Sequence, residues 1–347
     1  MLSLLVVNYR SAALAIEAIR TARAATEQSL QVVVVDNSCD ASEAEMLRPH
    51  ADISIVSAVN RGYAGAINDG RRACEGEVII VCNPDVTFTE GSIDALASAI
   101  GGDVAVAGPA LFWDSALRWR LPPADRTTAM EKLDEAIASR SAAWFGARDR
   151  RRIRKRAAFW GLKTTQRVDA VSGAVMAIRT RDFDDAEGFD ERFALYFEET
   201  DFVRRIAARR RSTVHVPSAR CRHLYNQSAG KVASEAAQRY AESERRYLSK
   251  WNGPLVARLL KSIEQPVGIP DAPLTEVPSI DVPKDGLVVE ASPQSSFTTA
   301  AGYIPAQGER RVTLPADVWS SFRGETLSLR VVDPRSGEVL GVSRALK

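Results

Sequence analysis

Through the first 110 residues, short apolar runs alternate with stretches of helical period. Residues 2–8, 30–36, 53–58, 78–83 and 104–108 are predicted strands, and residues 11–25, 64–74 and 92–100 are predicted helices between them. The runs from Val32 to Val35 and from Val78 to Val81 are continuous rather than alternating, as strands buried on both faces of a parallel sheet require. The fold class is therefore α/β, with a mostly parallel central sheet.

In such a sheet a ligand sits beyond the carboxyl ends of the strands, so the residues that end each run matter most. Here they are polar: Asn8-Tyr9-Arg10 after the first, Asp36-Asn37-Ser38 after the second and Asn83-Pro84-Asp85 after the fourth. Asn60-Arg61-Gly62-Tyr63 follows the third and leads into a helix carrying Asn68 and Gly70.

The pattern then changes. Residues 125–163 are predicted helical, and residues 148–156 hold seven Lys or Arg against one Asp. Residues 168–179 and 212–217 are predicted strands. Gly188-Phe189-Asp190-Glu191 makes a turn, and an acidic cluster opens a helix over 199–211. A helical segment over 233–263 is interrupted at Asn252-Gly253-Pro254, and five prolines between Pro266 and Pro283 mark residues 264–286 as a stiff linker. Residues 287–347 are expected to form a small β appendage, with residues 326–333 and 338–343 as a hairpin around Pro334-Arg335-Ser336-Gly337.

Length supports this division into a main domain over residues 1–263 and a smaller second one, because 347 residues exceed what one core usually serves. A balance of 46 basic against 44 acidic side chains argues against a surface built to bind nucleic acid. Four cysteines without a CxxC pair point to a reducing cytosol. No apolar run approaches the roughly 20 residues that span a bilayer, so a soluble or membrane-surface protein is expected.

Three clusters can carry chemistry. Asp36, at a strand end, is placed to accept hydrogen bonds from a base or ribose, with Asn8, Arg61 and Asn68 on neighbouring loops; its alternative role is to start an Asx turn. No GxGxxG or GxxxxGK[ST] sequence supplies a phosphate loop. Asp85 offers a hard oxygen suited to Mg²⁺ or Mn²⁺ on a diphosphate, and His223 a nitrogen for the same ion. Glu198, Glu199 and Asp201 stand between aromatic residues at a helix start. The helix dipole alone accounts for acidic residues there, while partial desolvation by the aromatics suits a general base.

In this order the motifs resemble the family 2 glycosyltransferases of the GT-A fold, in particular the bacterial rhamnosyltransferase-like branch that extends lipid-linked cell-surface glycans. The resemblance runs over roughly residues 2–250. It is carried by Val6-Val7-Asn8-Tyr9, Val34-Val35-Asp36-Asn37-Ser38, the stretch from Asn60 to Asn68, Asn83-Pro84-Asp85, Ser172-Gly173-Ala174, and Gly188-Phe189-Asp190-Glu191 leading to Phe197-Glu198-Glu199-Thr200-Asp201.

The resemblance implies a nucleotide diphosphate-sugar around Asn8, Tyr9, Asp36, Asn60, Arg61, Asn68 and Asn83, and an acceptor or sugar at Ser172, Gly173 and Glu198. It further implies that Asp85 is the last position of a metal-binding DxD motif whose first Asp is Asn83 here, with His223 facing the metal or diphosphate. Glu199 falls where the family carries the Asp of a Glu-Asp pair, its general base, with Asp201 as the fallback. The expected reaction is metal-dependent transfer with inversion, using Mg²⁺ or Mn²⁺, from a nucleotide sugar such as a rhamnose donor to a glycan or polyprenyl-diphosphate-linked acceptor. A nucleotidyltransferase and a non-catalytic subunit of a glycan-assembly complex are the rivals.

A cytoplasmic protein that touches the inner face of the membrane follows from the same resemblance. Residues 148–156 and an apolar stripe of Leu255, Val256, Leu259, Leu260 and Ile263 beside Arg258 and Lys261 are the expected contacts.

Overall fold

A computed structural model describes residues 1–193, 195–224, 233–263, 274–275 and 278–347. The strands are β1 (Leu2–Asn8), β2 (Leu30–Asp36), β3 (Ile53–Val56), β4 (Val78–Cys82), β5 (Val86–Phe88), β6 (Val104–Phe112), β7 (Gln166–Arg167), β8 (Val175–Arg179), β9 (Ser212–His223), β10 (Leu274–Thr275), β11 (Ser279–Asp281), β12 (Val288–Ser292), β13 (Ala301–Tyr303), β14 (Arg311–Thr313), β15 (Thr326–Val332) and β16 (Val339–Leu346). The helices are α1 (Ala12–Ala24), α2 (Ala41–Leu47), α3 (Gly62–Arg71), α4 (Ser92–Ala99), α5 (Ala129–Ala138), α6 (Ala142–Trp160), α7 (Thr180–Asp185), α8 (Glu198–Ala208), α9 (Ala233–Asn252), α10 (Pro254–Ile263) and α11 (Ala316–Ser321).

Nine strands make one sheet in the order β3-β2-β1-β4-β8-β6-β9-β5, with β7 beside β9. β1 is parallel to both β2 and β4, Leu4 standing opposite Val32 and Ile80. The chain leaves β1 for one side of the sheet and returns on the other, so the switch-point crevice opens beyond Asn8. Antiparallel β8 separates β4 from β6, and its predicted span of 168–179 shortens to Val175–Arg179.

Alternate residues of β1 feed two cores. Leu4 and Val6 pack with Ala15, Ala18 and Ile19 of α1, whereas Leu5 and Val7 pack with Ala66 and Ile67 of α3. Burial on both faces explains the continuous apolar runs. Gly70 lets α3 lie close: a Cβ there would stand 2.3 Å from a Leu5 methyl.

The predicted single helix over 125–163 is two. Thr128 and Glu131 form a capping box for α5, and Ser141 caps α6 by accepting from the Trp144 amide. Part of the basic run on α6 is spent on contacts within the molecule. Arg148 and Arg151 reach Asp134, Lys155 reaches Asp125, and Arg152 donates to the Thr298 carbonyl. Arg156 is buried, with Nε and Nη2 on the two oxygens of Glu290 at 2.7 and 2.9 Å. Arg330 also donates to Glu290, at 2.7 Å, and pairs with Asp149. Pairing and burial take up Arg148, Arg152 and Arg156, whereas Arg150, Arg151, Arg154 and Lys155 stay exposed.

These pairs tie α6 to the C-terminal β unit, whose sheet runs β10-β16-β15-β12-β13 and includes the expected β15–β16 hairpin. Its core takes in Trp113, Trp119 and Leu121 from the loop after β6, alongside Val289, Leu327 and Leu329. Part of the expected linker belongs to this unit, since β11 pairs antiparallel with β14. Pro266, Pro270 and Pro273 lie outside the described residues, as do the side chains of Leu259, Leu260 and Ile263. No helix among the described residues is long and apolar enough to cross a membrane.

Glu290 is fully buried and shared by two buried guanidinium groups. Removing one partner of such a network leaves uncompensated charge, so Glu290→Ala should cost about 3–5 kcal/mol of unfolding free energy. Denaturant unfolding measures this, and a loss below about 1 kcal/mol would show that the network does not hold the β unit to α6.

Candidate active site

The strand ends are stitched together mainly by their own polar side chains. Asp36 is fully buried; its carboxylate accepts from Asn8 Nδ2 at 2.9 Å, from the Ser38 amide at 3.2 Å and from Ser38 Oγ at 2.9 Å. This is the Asx-turn alternative for Asp36, and it leaves the carboxylate no exposed edge. Asn8 is equally enclosed, also donating to Glu43 of α2, which in turn caps the Ala12 amide of α1. Neither Glu43 nor α2 was legible beforehand, because α2 is only seven residues long.

Asn37 holds the loop before α3, donating to Asn60 Oδ1 at 2.9 Å and accepting from the Arg61 amide. Asn68 fixes α3 to the Gly188 turn through the Phe189 amide and carbonyl, both at 2.9 Å. Gly188 has φ +67, and a Cβ there would meet Asn68 Oδ1 at 2.4 Å, so only glycine fits. Arg61 pairs with Asp69 and Glu191. Tyr9, by contrast, is 52% exposed just after β1, with the Arg10 guanidinium 5.6 Å from its ring centroid.

Antiparallel pairing of β4 with β8 brings the fourth strand end to Ser172-Gly173-Ala174: the Asn83 amide donates to the Ala174 carbonyl at 2.9 Å. Pro84 then turns the chain and presents Asp85. One of its oxygens lies 3.3 Å from His223 Nε2, and both side chains keep 15% exposure. That contact follows from strand register, Val86 standing opposite His223 in the β5–β9 pair. Asp85 and His223 are the residues that would hold a divalent ion such as Mn²⁺ or Mg²⁺, which would supply positive charge against a diphosphate. No group of three or more acidic, His or Cys side chains capable of holding a metal occurs among the described residues, so these two would form a partial coordination set.

Across the crevice, Tyr196 and Phe197 adopt φ +68 and +69, a left-handed conformation that bulky residues rarely take. Packing holds Phe197, whose ring lies 5.2 Å from Tyr240 and 5.3 Å from Tyr247. The strained step starts α8 and turns Glu198 and Glu199 toward the crevice floor. Gly173 makes room for Glu199: a Cβ there would lie 3.2 Å from its Cγ.

Burial raises the pKa of both glutamates, and in Glu198 the charge of Glu199 adds to the effect. Glu198 Oε2 is buried without a hydrogen-bond partner. Of the two, Glu198 is pushed the further toward its protonated form. Tyr63, which the motif reading left without a role, donates to the Gly173 carbonyl at 3.4 Å. Burial, then Glu198, Cys82, Glu199 and Asp85, hold its phenol well above the usual range, so it stays a neutral donor between the glutamates and Asp85.

Asp201 faces away from this group. It is fully buried, with one oxygen accepting from Trp251 Nε1 at 2.8 Å and Lys250 at 2.7 Å, and the other from Arg205 at 2.7 Å. No lone pair remains directed at an acceptor. The structure thus gathers Asn83, Asp85, His223, Ser172, Gly173, Glu198 and Glu199 about one crevice, and leaves Asp201, Asp36 and Asn8 behind its walls.

Residues 3–171 match the family model described as glycosyl transferase family 2. The N-acetylglucosaminyl-diphospho-decaprenol L-rhamnosyltransferases of two Mycobacterium tuberculosis strains are each 25% identical over 264 residues, spanning 67% of this chain and 80% of theirs. Among solved structures, the mannosyltransferase PcManGT from Pyrobaculum calidifontis, in complex with GDP-Man and Mn²⁺, aligns at 14% identity over 75% of this chain and 74% of that one, with a TM-score of 0.45. S. aureus TarS 1–349 with UDP aligns at 16% identity over 72% of each chain, TM-score 0.43. The order of strand-end motifs and the carboxylate-lined crevice agree with the family match, and the chain is a glycosyltransferase carrying a glycosyl transferase family 2 domain.

Proposed function

We propose that the protein transfers a sugar, with inversion, from a nucleotide diphosphate donor to a hydroxyl of a polyprenyl-diphosphate-linked glycan in cell-surface polysaccharide synthesis. The observation that carries this is the placement of Glu199 against Gly173, across the crevice from Asp85 and His223. The mycobacterial relatives' name adds the acceptor class and suggests rhamnose as the sugar.

Glu199 takes the acceptor proton as the hydroxyl oxygen bonds to the anomeric carbon, and the bond from that carbon to the diphosphate breaks on the opposite face. Burial and the Glu199 charge disfavour a second negative charge on Glu198 beside the incoming oxygen. Tyr63 holds the Gly173 backbone against which Glu199 lies, and Tyr9 offers an exposed ring for the donor base. A divalent ion on Asp85 and His223 would offset charge on the departing nucleotide diphosphate. Asn8, Asp36, Asn60, Arg61 and Asn68 serve by fixing the loops that shape the donor crevice. Glu198, Glu199 and Asp85 around one crevice disfavour the non-catalytic reading, and the missing basic glycine-rich loop after β1 disfavours the nucleotidyltransferase.

Work at the cytoplasmic membrane face follows from the acceptor. The surface available is the exposed Met130, Leu133 and Ile137 of α5 with Leu255 and Val256 of α10, together with the exposed Arg150, Arg151, Arg154 and Lys155 of α6. A panel of nucleotide sugars assayed with acceptor in anionic liposomes, with Mg²⁺, Mn²⁺ or chelator, tests the whole reading. One donor should be consumed with metal, and protein should sediment with the liposomes. No donor turnover by any nucleotide sugar would remove the enzymatic reading, and absence from the pellet would remove the membrane.

A further inference from the structure

Behind Ser172 a cleft runs away from the crevice between the sheet and α6. Its first part is lined by Ser172, Pro122, Leu121 and Phe159. Leu121 and Phe159 also line a wider cavity of 230 Å³, whose charged wall is Arg120, Arg220 and Lys163. His215 and Ser218 add polar groups, the remaining lining is apolar, and no acidic side chain lines it among the described residues.

The two arginines stand on one ring. Arg120 lies 5.5 Å and Arg220 4.7 Å from the Phe112 centroid. Arg220 donates to the Leu117 carbonyl at 2.8 Å, and neither makes an ion pair among the described residues. Burial, and then Arg220, lower the Arg120 pKa, the signature of a cation placed where a counter-charge is lacking. His215 adds no charge, because burial holds it down to about 4.

The arrangement is braced from outside. Trp113 and Trp119 are buried in the core of the C-terminal β unit, Trp119 stacks on Tyr303 at 5.4 Å, and Arg120 exchanges backbone hydrogen bonds with Gly302 at 2.8 and 2.7 Å. The appended unit thereby fixes Arg120 at the cavity wall, at the cost of two large aromatic side chains that the main domain would otherwise have to bury itself.

We infer that this cavity is a diphosphate subsite that holds the anionic group of the acceptor. Two guanidinium groups on a shared aromatic face match phosphate geometry, and Leu121, Phe159 and Trp160 offer an apolar wall to the attached chain. The inference rests on the proposed acceptor class, and it assigns the C-terminal unit a part in acceptor binding.

The test uses the full-length protein with Arg220→Gln, Arg120→Gln, Arg120→Lys and the double Gln variant. Each single Gln change should raise the KM for a polyprenyl-diphosphate acceptor about tenfold more than the KM for the donor, and the double about a hundredfold more. Arg120→Lys should recover part of the loss. Inorganic pyrophosphate titrated in chelator, which silences any metal-dependent binding, should bind wild type and lose affinity in the double variant.

Arg220 is exposed and its replacement leaves the core untouched, so a folding defect at Arg120 cannot hide the answer. Equal changes in the two KM values for Arg220→Gln, or pyrophosphate affinity unaltered in the double variant, would overturn the subsite. An acceptor lacking diphosphate should be used equally well by wild type and variants, and a loss on it as large as that on the diphosphate acceptor would do the same. If wild type turns over no nucleotide sugar at all, the proposed reaction has failed, which the pyrophosphate titration still separates from failure of the subsite.

Discussion

Glu199→Gln should lower kcat by about 10²–10⁴-fold with little change in donor affinity, the usual worth of a positioned base. Gln keeps the shape that rests against Gly173 and loses the proton acceptor. Glu198→Gln should stay within about tenfold of wild type, because an amide resembles the neutral acid that burial and the Glu199 charge impose. Steady-state kinetics on the two variants gives the comparison, and a larger loss at Glu198 would exchange their roles. Asp201→Asn removes the charge that Arg205 and Lys250 share, so its main effect should be on stability.

The same burial sets the sign of the pH dependence. The Glu199 pKa is raised in the folded protein, so the base is ionised only above that raised value, and activity should fall as pH drops through it. Stability runs the other way. A carboxyl whose folded pKa is raised favours the folded state below the unfolded value, and that contribution disappears as pH rises through the folded value. Glu198→Gln should therefore be more stable than wild type at neutral pH, with the difference shrinking toward acid.

What the sequence made legible was periodicity and strand ends. β1 and β2 fall on their predicted residues because double-sided burial leaves an unbroken apolar run with a polar stop. The carboxylates at the start of α8 and the pairing of Asp85 with His223 were also expected, the second through motif resemblance rather than through any local pattern.

The failures have a common physical cause: a polar residue at a strand end has the same letter whether it faces ligand or backbone. Asp36 is turned inward by Ser38, two residues on, and by Asn8, 28 residues before it; Asn8 is held by Glu43, 35 residues on, and Asp201 by Trp251, 50 residues on. The charge of residues 148–156 was likewise read without its complement, since Glu290 lies 134 residues beyond Arg156. Tyr63 escaped because its importance comes from the Gly173 carbonyl, 110 residues on.

Asp85→Ala should abolish metal-dependent donor binding and lower transfer by about 10³-fold or more, since offsetting charge on a departing diphosphate is worth several kcal/mol. Asp85 supplies the carboxylate of the candidate metal pair, and among the described residues its side chain is tied to the fold through His223 at 3.3 Å. The backbone link that seats it, Leu224 amide to Asp85 carbonyl at 3.1 Å, survives the substitution, so unfolding should be little changed. His223→Ala should be milder, about tenfold, because it leaves the anionic ligand in place. Donor binding measured with Mn²⁺ and with chelator separates the two effects from a general loss of affinity. Full transfer by Asp85→Ala, or wild-type transfer undiminished in excess chelator, would exclude Asp85 as a metal ligand. The positive charge that balances the leaving group would then have to come from the chain itself, with Arg61 beside the crevice as the first cation to replace.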